Sequence, residues 1–199
     1  MYPTGRATIL LGALMFAAAC GDKSGDAVAD SGAVPAGAST AAAATADSTA
    51  GGLSDANIVY IVSMANKGEI ERGNIAQTKG TSAGVKKYGK FIVGEHTALE
   101  AEAQALATKL GVTPAAPAGD QSEAMAKQQM DTFNATAKGA AWDKAYVDFE
   151  LTYHQQLMET AKTAIAAAKN PELRALLERA APIVQKHIDH AMDLQGRMK

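Results

Sequence analysis

From residue 53 onward the chain repeats apolar residues at alternating steps of three and four, with no strand-like alternation of any length. Such a pattern restricts it to helices that each bury one stripe. Ser54 predicts an N-cap for a first helix to about Lys79, whose stripe reads Ile58, Ile61, Val62, Ala65, Glu69, Arg72 and Ala76. Gly80-Thr81-Ser82 breaks it. A second helix reaches about Leu110 through Ile92, His96, Leu99, Ala103 and Leu106, and Gly111 with Pro114 and Pro117 stops it. Residues 120–138 read as a weaker helical piece with Met125, Met130 and Phe133 as its apolar contacts. Ala141 to Lys169 forms a third long helix, striped by Asp143, Val147, Glu150, His154, Leu157, Ala161 and Ala164. Asn170-Pro171-Glu172 combines an N-cap, a proline at the first helical position and an acid in the first turn. The helix it starts runs through Leu173, Leu177, Ala180, Val184, His187, Ala191 and Leu194, and Pro182 predicts a kink in it. The expected fold of residues 53–199 is all-α: an antiparallel four-helix bundle with a short extra helix between long helices two and three.

The segment before this domain reads as an address. Arg6 precedes a 13-residue apolar run, Ala7 to Ala19, which is shorter than the ~20 residues that span a bilayer. The run ends in small residues before Cys20, so residues 1–19 are expected to be a lipoprotein signal peptide. Phe16-Ala17-Ala18-Ala19-Cys20-Gly21 resembles a bacterial lipobox, which makes Cys20 the expected lipidation site and the membrane the expected partner. An ordinary secretory signal cleaved nearby is the other reading. Gly21 after the cysteine resembles the outer-membrane sorting pattern, so the expected location is the envelope, at the outer membrane and facing the periplasm. Residues 21–52 are nearly all Ala, Gly, Ser, Thr and Asp without one aromatic, too polar and small to bury a core. With Cys20 they form an expected flexible tether of about 30 Å root-mean-square span.

Charge excludes other partners. Lys plus Arg number 19 against 21 Asp plus Glu, and from residue 53 there are 17 of each sign. Nucleic acid is therefore not an expected partner. A single cysteine excludes a disulfide framework and a Cys-rich zinc site. No phosphate-binding glycine loop or nucleophile elbow is present in the sequence.

The anomaly lies inside the stripes. Each long helix places a ligand-competent polar residue there: Glu69, His96, His154 with Glu150, and His187. His154 lies 16 residues before Asn170 and His187 lies 17 after it, so a hairpin turning there sets them level. His96 is 16 residues past the break at Gly80, whereas Glu69 is 11 before it, an offset of roughly 7 Å at the helical rise. Glu69 is thus the outlying member. Asp143, Tyr146, Glu95 and His190 are the neighbours expected to support these groups; His187 and His190 also sit three apart as a possible two-His clip. Glu100 and Glu102 read as solvent-exposed, Lys86, Lys87 and Lys90 as a solvated face, and Met125, Met130, Met158 and Met192 as packing residues.

Energetics narrows the reading. An unpartnered buried polar group costs about 1–3 kcal/mol against a total stability of about 5–15 kcal/mol. Several such groups must satisfy one another, trapped water or an ion. Mixed imidazole and carboxylate donors suit Fe, Mn, Zn, Ni or Cu. Two readings follow: a transition-metal site, or a metal-free network that fixes core register. A dinuclear carboxylate oxidase needs Glu-x-x-His twice, and the residues three before the four histidines are Val93, Leu151, Val184 and His187. An enzyme would also need an open coordination position and an access path, which sequence does not display.

Taken together, Glu69-Ile70-Glu71 with Gly73, Glu95-His96-Thr97, Trp142-Asp143 with Tyr146 and His154, and Ala181-Pro182 with His187 resemble the ferritin-like four-helix envelope domains of unknown function, DUF4142, often labelled predicted outer-membrane proteins. The resemblance spans about residues 55–195. Glu95 stands where that family usually has Asp, and Trp142 where it usually has Phe. It implies a ferritin-like bundle and an envelope location, and no established reaction.

Overall fold

The structure is a computed structural model that describes residues 52–198. Cys20, the expected signal peptide and all but the last residue of the expected tether lie outside the described residues. Five helices make up an all-α bundle: α1 (Asp55–Lys79), α2 (Ala83–Leu110), α3 (Ser122–Ala135), α4 (Ala140–Ala167) and α5 (Pro171–Arg197). There is no strand among the described residues, and no described helix is long and apolar enough to cross a membrane.

The helix ends follow from local chemistry. Ser54 Oγ accepts from Asn57 N at 3.1 Å, and Asn57 Oδ1 accepts in return from Ser54 N at 3.1 Å. That is a capping box with Asn in the usual Glu position. Ser82 caps α2 through Val85 N, and Asn170 Oδ1 caps α5 through Glu172 N and Leu173 N. Gly111 ends α2 at φ +64°, where a side chain would be strained. α5 continues from end to end past Pro182.

Facing residues give the helix directions. Along α1 and α2, Gly73 meets Gly89, Asn66 meets His96 and Ser63 meets Glu100, so the two run antiparallel. Asp148 with Gln195 and His154 with His187 set α4 against α5 in the same sense. Glu69 and Arg72 reach His154 and Glu150, which runs α1 antiparallel to α4. Phe91 with His187 and Gly84 with Leu194 do likewise for α2 and α5.

Two acids fasten the hairpins to each other. Asp55, at the start of α1, accepts from Lys169 N and Asn170 N in the α4–α5 turn at 2.9 and 3.0 Å. Asp143, near the start of α4, accepts from Thr81 N, Thr81 Oγ1 and Ser82 N in the α1–α2 turn, at 2.6–2.8 Å. Each end of the bundle is thus tied by an acid in a helix's first turn.

The core has two apolar parts with a polar layer between them. One contains Val85, Tyr88, Ile92, Phe133, Trp142, Tyr146 and Leu194; the other contains Ile58, Val59, Ala103, Ala164, Leu173 and Leu177. Of the methionines read as packing residues, Met125 and Met192 are corrected: both are more than half exposed, 58% and 55%. Phe133 is the one residue that α3 buries, and Ile188, Ala191 and Leu194 are the residues that α5 buries around Met192.

Candidate metal centre

The polar layer is buried. Glu69, Glu150, His154 and His187 are 0% exposed, His96 1% and Arg72 3%. A nitrogen from each of His96, His154 and His187 lies within 4.8 Å of the others, and Glu69, Glu150 and His154 form a second such group. His154 belongs to both.

Hydrogen bonds fix the tautomers. His154 Nδ1 lies 2.8 Å from the Glu150 carbonyl one turn back, an acceptor only, so Nδ1 carries a proton and in the neutral ring Nε2 has the lone pair. His187 Nδ1, 3.1 Å from His154 Nε2, must then donate to it. His96 Nδ1 lies 2.9 Å from Asn66 Oδ1, and Asn66 Nδ2 donates to Glu100 Oε2 at 3.4 Å, which orients the amide so that its oxygen accepts from His96. The imidazoles thus hold a proton on Nδ1; the His154 Nε2 lone pair accepts from His187, whereas those of His96 and His187 are left for a cation. Nε2 of His96 and of His187 is buried without a partner.

The carboxylates share one guanidinium. Arg72 Nε donates to Glu150 Oε1 at 3.0 Å, and Arg72 Nη2 lies 2.8 Å from Glu69 Oε1, an ion pair not aligned as a hydrogen bond. The guanidinium lies over the Tyr153 ring at 4.1 Å and near that of Phe149 at 5.2 Å, so aromatic faces cover it. Glu69 Oε1 is also 3.4 Å from His154 Nε2. Burial pushes both carboxyls up. For Glu69 the charges around it, that of Arg72 first, outweigh burial and hold it down at about 2. For Glu150 burial and the Glu69 charge prevail over Arg72 and hold it well above the usual carboxylate range. The two carboxyls are thus held in opposite directions, and the Glu69 charge balances Arg72. Burial pushes His96 down to about 4 and His187 down to about 3, so both are neutral at pH 7.

Five residues expected from sequence as ligands thus converge: Glu69, His96, Glu150, His154 and His187. The expected offset of Glu69 is real along α1, since Asn66 is the residue level with His96; the Glu69 side chain spans the remaining turn. The four expected supporting residues do not join them. Asp143 is engaged at the α1–α2 turn. Tyr146 stacks on Trp142, rings 4° from parallel, and its hydroxyl has no partner. Half-buried Glu95 makes no hydrogen bond or ion pair. Half-buried His190 packs against Tyr88 and Phe91 and enters neither ligand group, so no two-His clip forms with His187.

Three functional residues were not singled out from the sequence. Arg72 sits on the first stripe one turn after Glu69. Asn66 lies as far before the middle of the break as His96 lies after it. Glu100 is corrected from solvent-exposed: four residues after His96, it faces the α1–α2 seam, where Ser63 Oγ donates to it at 2.7 Å. Glu102 is exposed as expected.

Fold and site together define an all-α bundle protein with a buried imidazole and carboxylate cluster. The profile of a domain of unknown function, DUF4142, matches residues 37–194, and the chain belongs to that family. No curated protein and no solved structure matches it.

Proposed function

We propose that this chain is an exported lipoprotein, anchored through Cys20 to the outer membrane and facing the periplasm, whose ferritin-like four-helix bundle binds a transition metal ion. His96, His154 and His187 would hold the ion, with Glu69 beside His154. The ferritin-like arrangement is supported by the helix directions. α1 and α5 both run opposite to α2 and α4, so α2 and α4 run the same way and the connection carrying α3 must return along the bundle. The address rests on the Ala19-Cys20-Gly21 junction and the tether composition. Replacing Cys20 by Ser should abolish incorporation of labelled palmitate into the protein in cells; unchanged labelling would remove the anchor.

One observation carries the metal reading. Imidazoles from three helices meet there: His96 and His154 have their Nδ1 atoms committed to acceptors outside the group, and Nε2 of His96 and of His187 is buried without a partner, which leaves lone pairs for an ion. Imidazole-rich donors suit Zn, Cu, Fe or Ni. Mn, which prefers carboxylates, is less suited, because Arg72 engages both. A bound ion would polarise whatever ligand completes its coordination, and no reaction is assigned to it. The test is elemental analysis of untagged protein from native envelopes, beside His96→Ala and His154→Ala. Wild type should hold close to one equivalent and the variants little; wild type at background would remove the proposal.

A second reading has its own observation. Arg72 neutralises the carboxylate layer without any ion, as a structural or interaction lipoprotein with a self-satisfied core requires. Under it, a chelator leaves the melting temperature of native protein unchanged.

A further inference from the structure

On the side of the polar layer towards the α4–α5 turn lies a partly open cavity of about 60 Å³, lined by residues of α1, α2, α4 and α5. Small side chains open it: Ala161 and Ala164 of α4 face Ala180 and Ala181 of α5, where any larger apolar residue would fill the space. His96 lines the cavity and also belongs to the three-imidazole group, so one ring separates the void from the candidate ion position.

The chemistry of the lining decides what can enter. Only Asn66, His96 and Thr160 are polar. The Asn66 amide is engaged with His96 and Glu100. The Thr160 hydroxyl donates to the Gln156 carbonyl at 3.1 Å, and His96 Nδ1 is engaged with Asn66. A water needs two to four polar partners to settle in a protein interior, and this lining leaves a single unengaged nitrogen, His96 Nε2. Size sets the other limit. The cavity exceeds the ~10–15 Å³ that admits a water and falls well below the ~150 Å³ of a cavity that takes benzene.

We propose that this cavity is a binding chamber for a small uncharged apolar molecule, of the size of a diatomic gas, held against the His96 ring. Occupancy of the chamber does not depend on a metal; its use, to bring such a molecule beside the ion, rests on the metal reading above.

Xenon tests it on the full-length protein. Crystals pressurised with xenon should show a xenon peak between Leu99, Leu157 and Val184. In solution, dissolved xenon should shift the methyl resonances of those residues and the ring resonances of His96, while leaving Met125 and Met192 unmoved. Ala161→Leu, at a half-buried lining position, should weaken these shifts at least tenfold; Ala180→Leu serves the same purpose should Ala161→Leu not fold. Absence of xenon from the wild-type chamber, or ordered water filling it, would overturn the proposal, and so would shifts that persist in both filled variants. The two readings fail separately: xenon binding in protein without metal removes the ion and keeps the chamber, and metal without xenon does the reverse.

Discussion

His187 Nδ1 lies 3.1 Å from His154 Nε2, and His154 Nδ1 lies 2.8 Å from the Glu150 carbonyl, so the two rings form one directed chain of donors. The lone pair that His154 would offer an ion is the one that accepts from His187. Binding must therefore break this bond and turn or shift the His187 ring. His154 also takes part in the Glu69 and Glu150 group, which makes it the pivot of the layer.

The ligand variants should rank accordingly. His154→Ala removes a member of both groups and should weaken Zn²⁺ binding about 100-fold or more, beyond the ~10–100-fold typical of a supporting residue. His187→Ala leaves the Glu69, Glu150 and His154 group whole and should lose less. Competition titration against a chromophoric chelator gives the order, and equal losses would argue against a pivotal His154.

Asn66 should behave as a supporting residue of His96. Asn66→Leu removes the acceptor that holds the His96 proton on Nδ1, so Zn²⁺ affinity should fall by about 10–100-fold with the helical content unchanged. Asn66→Asp keeps an acceptor there and should retain most of the affinity. Circular dichroism and the same titration separate the two effects.

Arg72 carries the carboxylate layer. Replacing it by Met leaves the Glu69 charge buried without its partner, and breaking such a pair costs about 3–5 kcal/mol. A second change, Glu69→Gln, should restore part of that loss by removing the stranded charge. Urea denaturation of the single and double variants measures both steps.

Much of this was legible in the sequence, for a reason particular to helices. A stripe at steps of three and four declares which residues face inward, and caps such as Ser54 and Asn170 fix where counting starts; the level of His154 with His187 follows from that alone. Partnership across helices is not declared in this way. Arg72 reads as one more member of a stripe until Glu150, 78 residues away, is brought to its guanidinium. Glu100 sits off the apolar stripe, and only the close α1–α2 seam turns it inward. Asp143 shares a stripe with His154, but 11 residues of helix put it at the bundle's end, where a turn claims it.

The α1–α2 seam itself is set by two glycines. A Cβ on Gly73 would lie 2.7 Å from the Gly89 carbonyl oxygen, and one on Gly89 would lie 2.6 Å from the Gly73 oxygen. Both are below any real carbon contact, and the obstacle is backbone. Gly73→Ala or Gly89→Ala should therefore destabilise by about 1–3 kcal/mol and push α2 outward, taking His96 with it. Gly94→Ala meets nothing within 4 Å and should stabilise by about 0.5–1 kcal/mol through helix propensity. Thermal melts of the three variants check the contrast.

Acid should loosen the metal-free protein, and the sign follows from the buried groups. His96 and His187 are held at about 4 and about 3, below the ordinary 6.5, so on unfolding each takes up a proton between those limits. Their contribution is complete above pH 6.5 and is lost as the pH falls. Glu150 acts in the opposite sense: held above 4.5, it keeps a proton in the fold that the unfolded chain releases above pH 4.5. Between about pH 4.5 and 6 the two histidines together take up nearly two protons on unfolding and Glu150 offsets part of this, so stability rises with pH at a slope below about 2.7 kcal/mol per pH unit. Glu150→Gln removes the opposing proton and should raise the slope towards about 2.7 kcal/mol per unit, since two histidines then act alone. Urea denaturation of apoprotein at half-unit steps of pH measures both slopes, and a flat wild-type profile over this interval would show that the two imidazoles are not buried neutral.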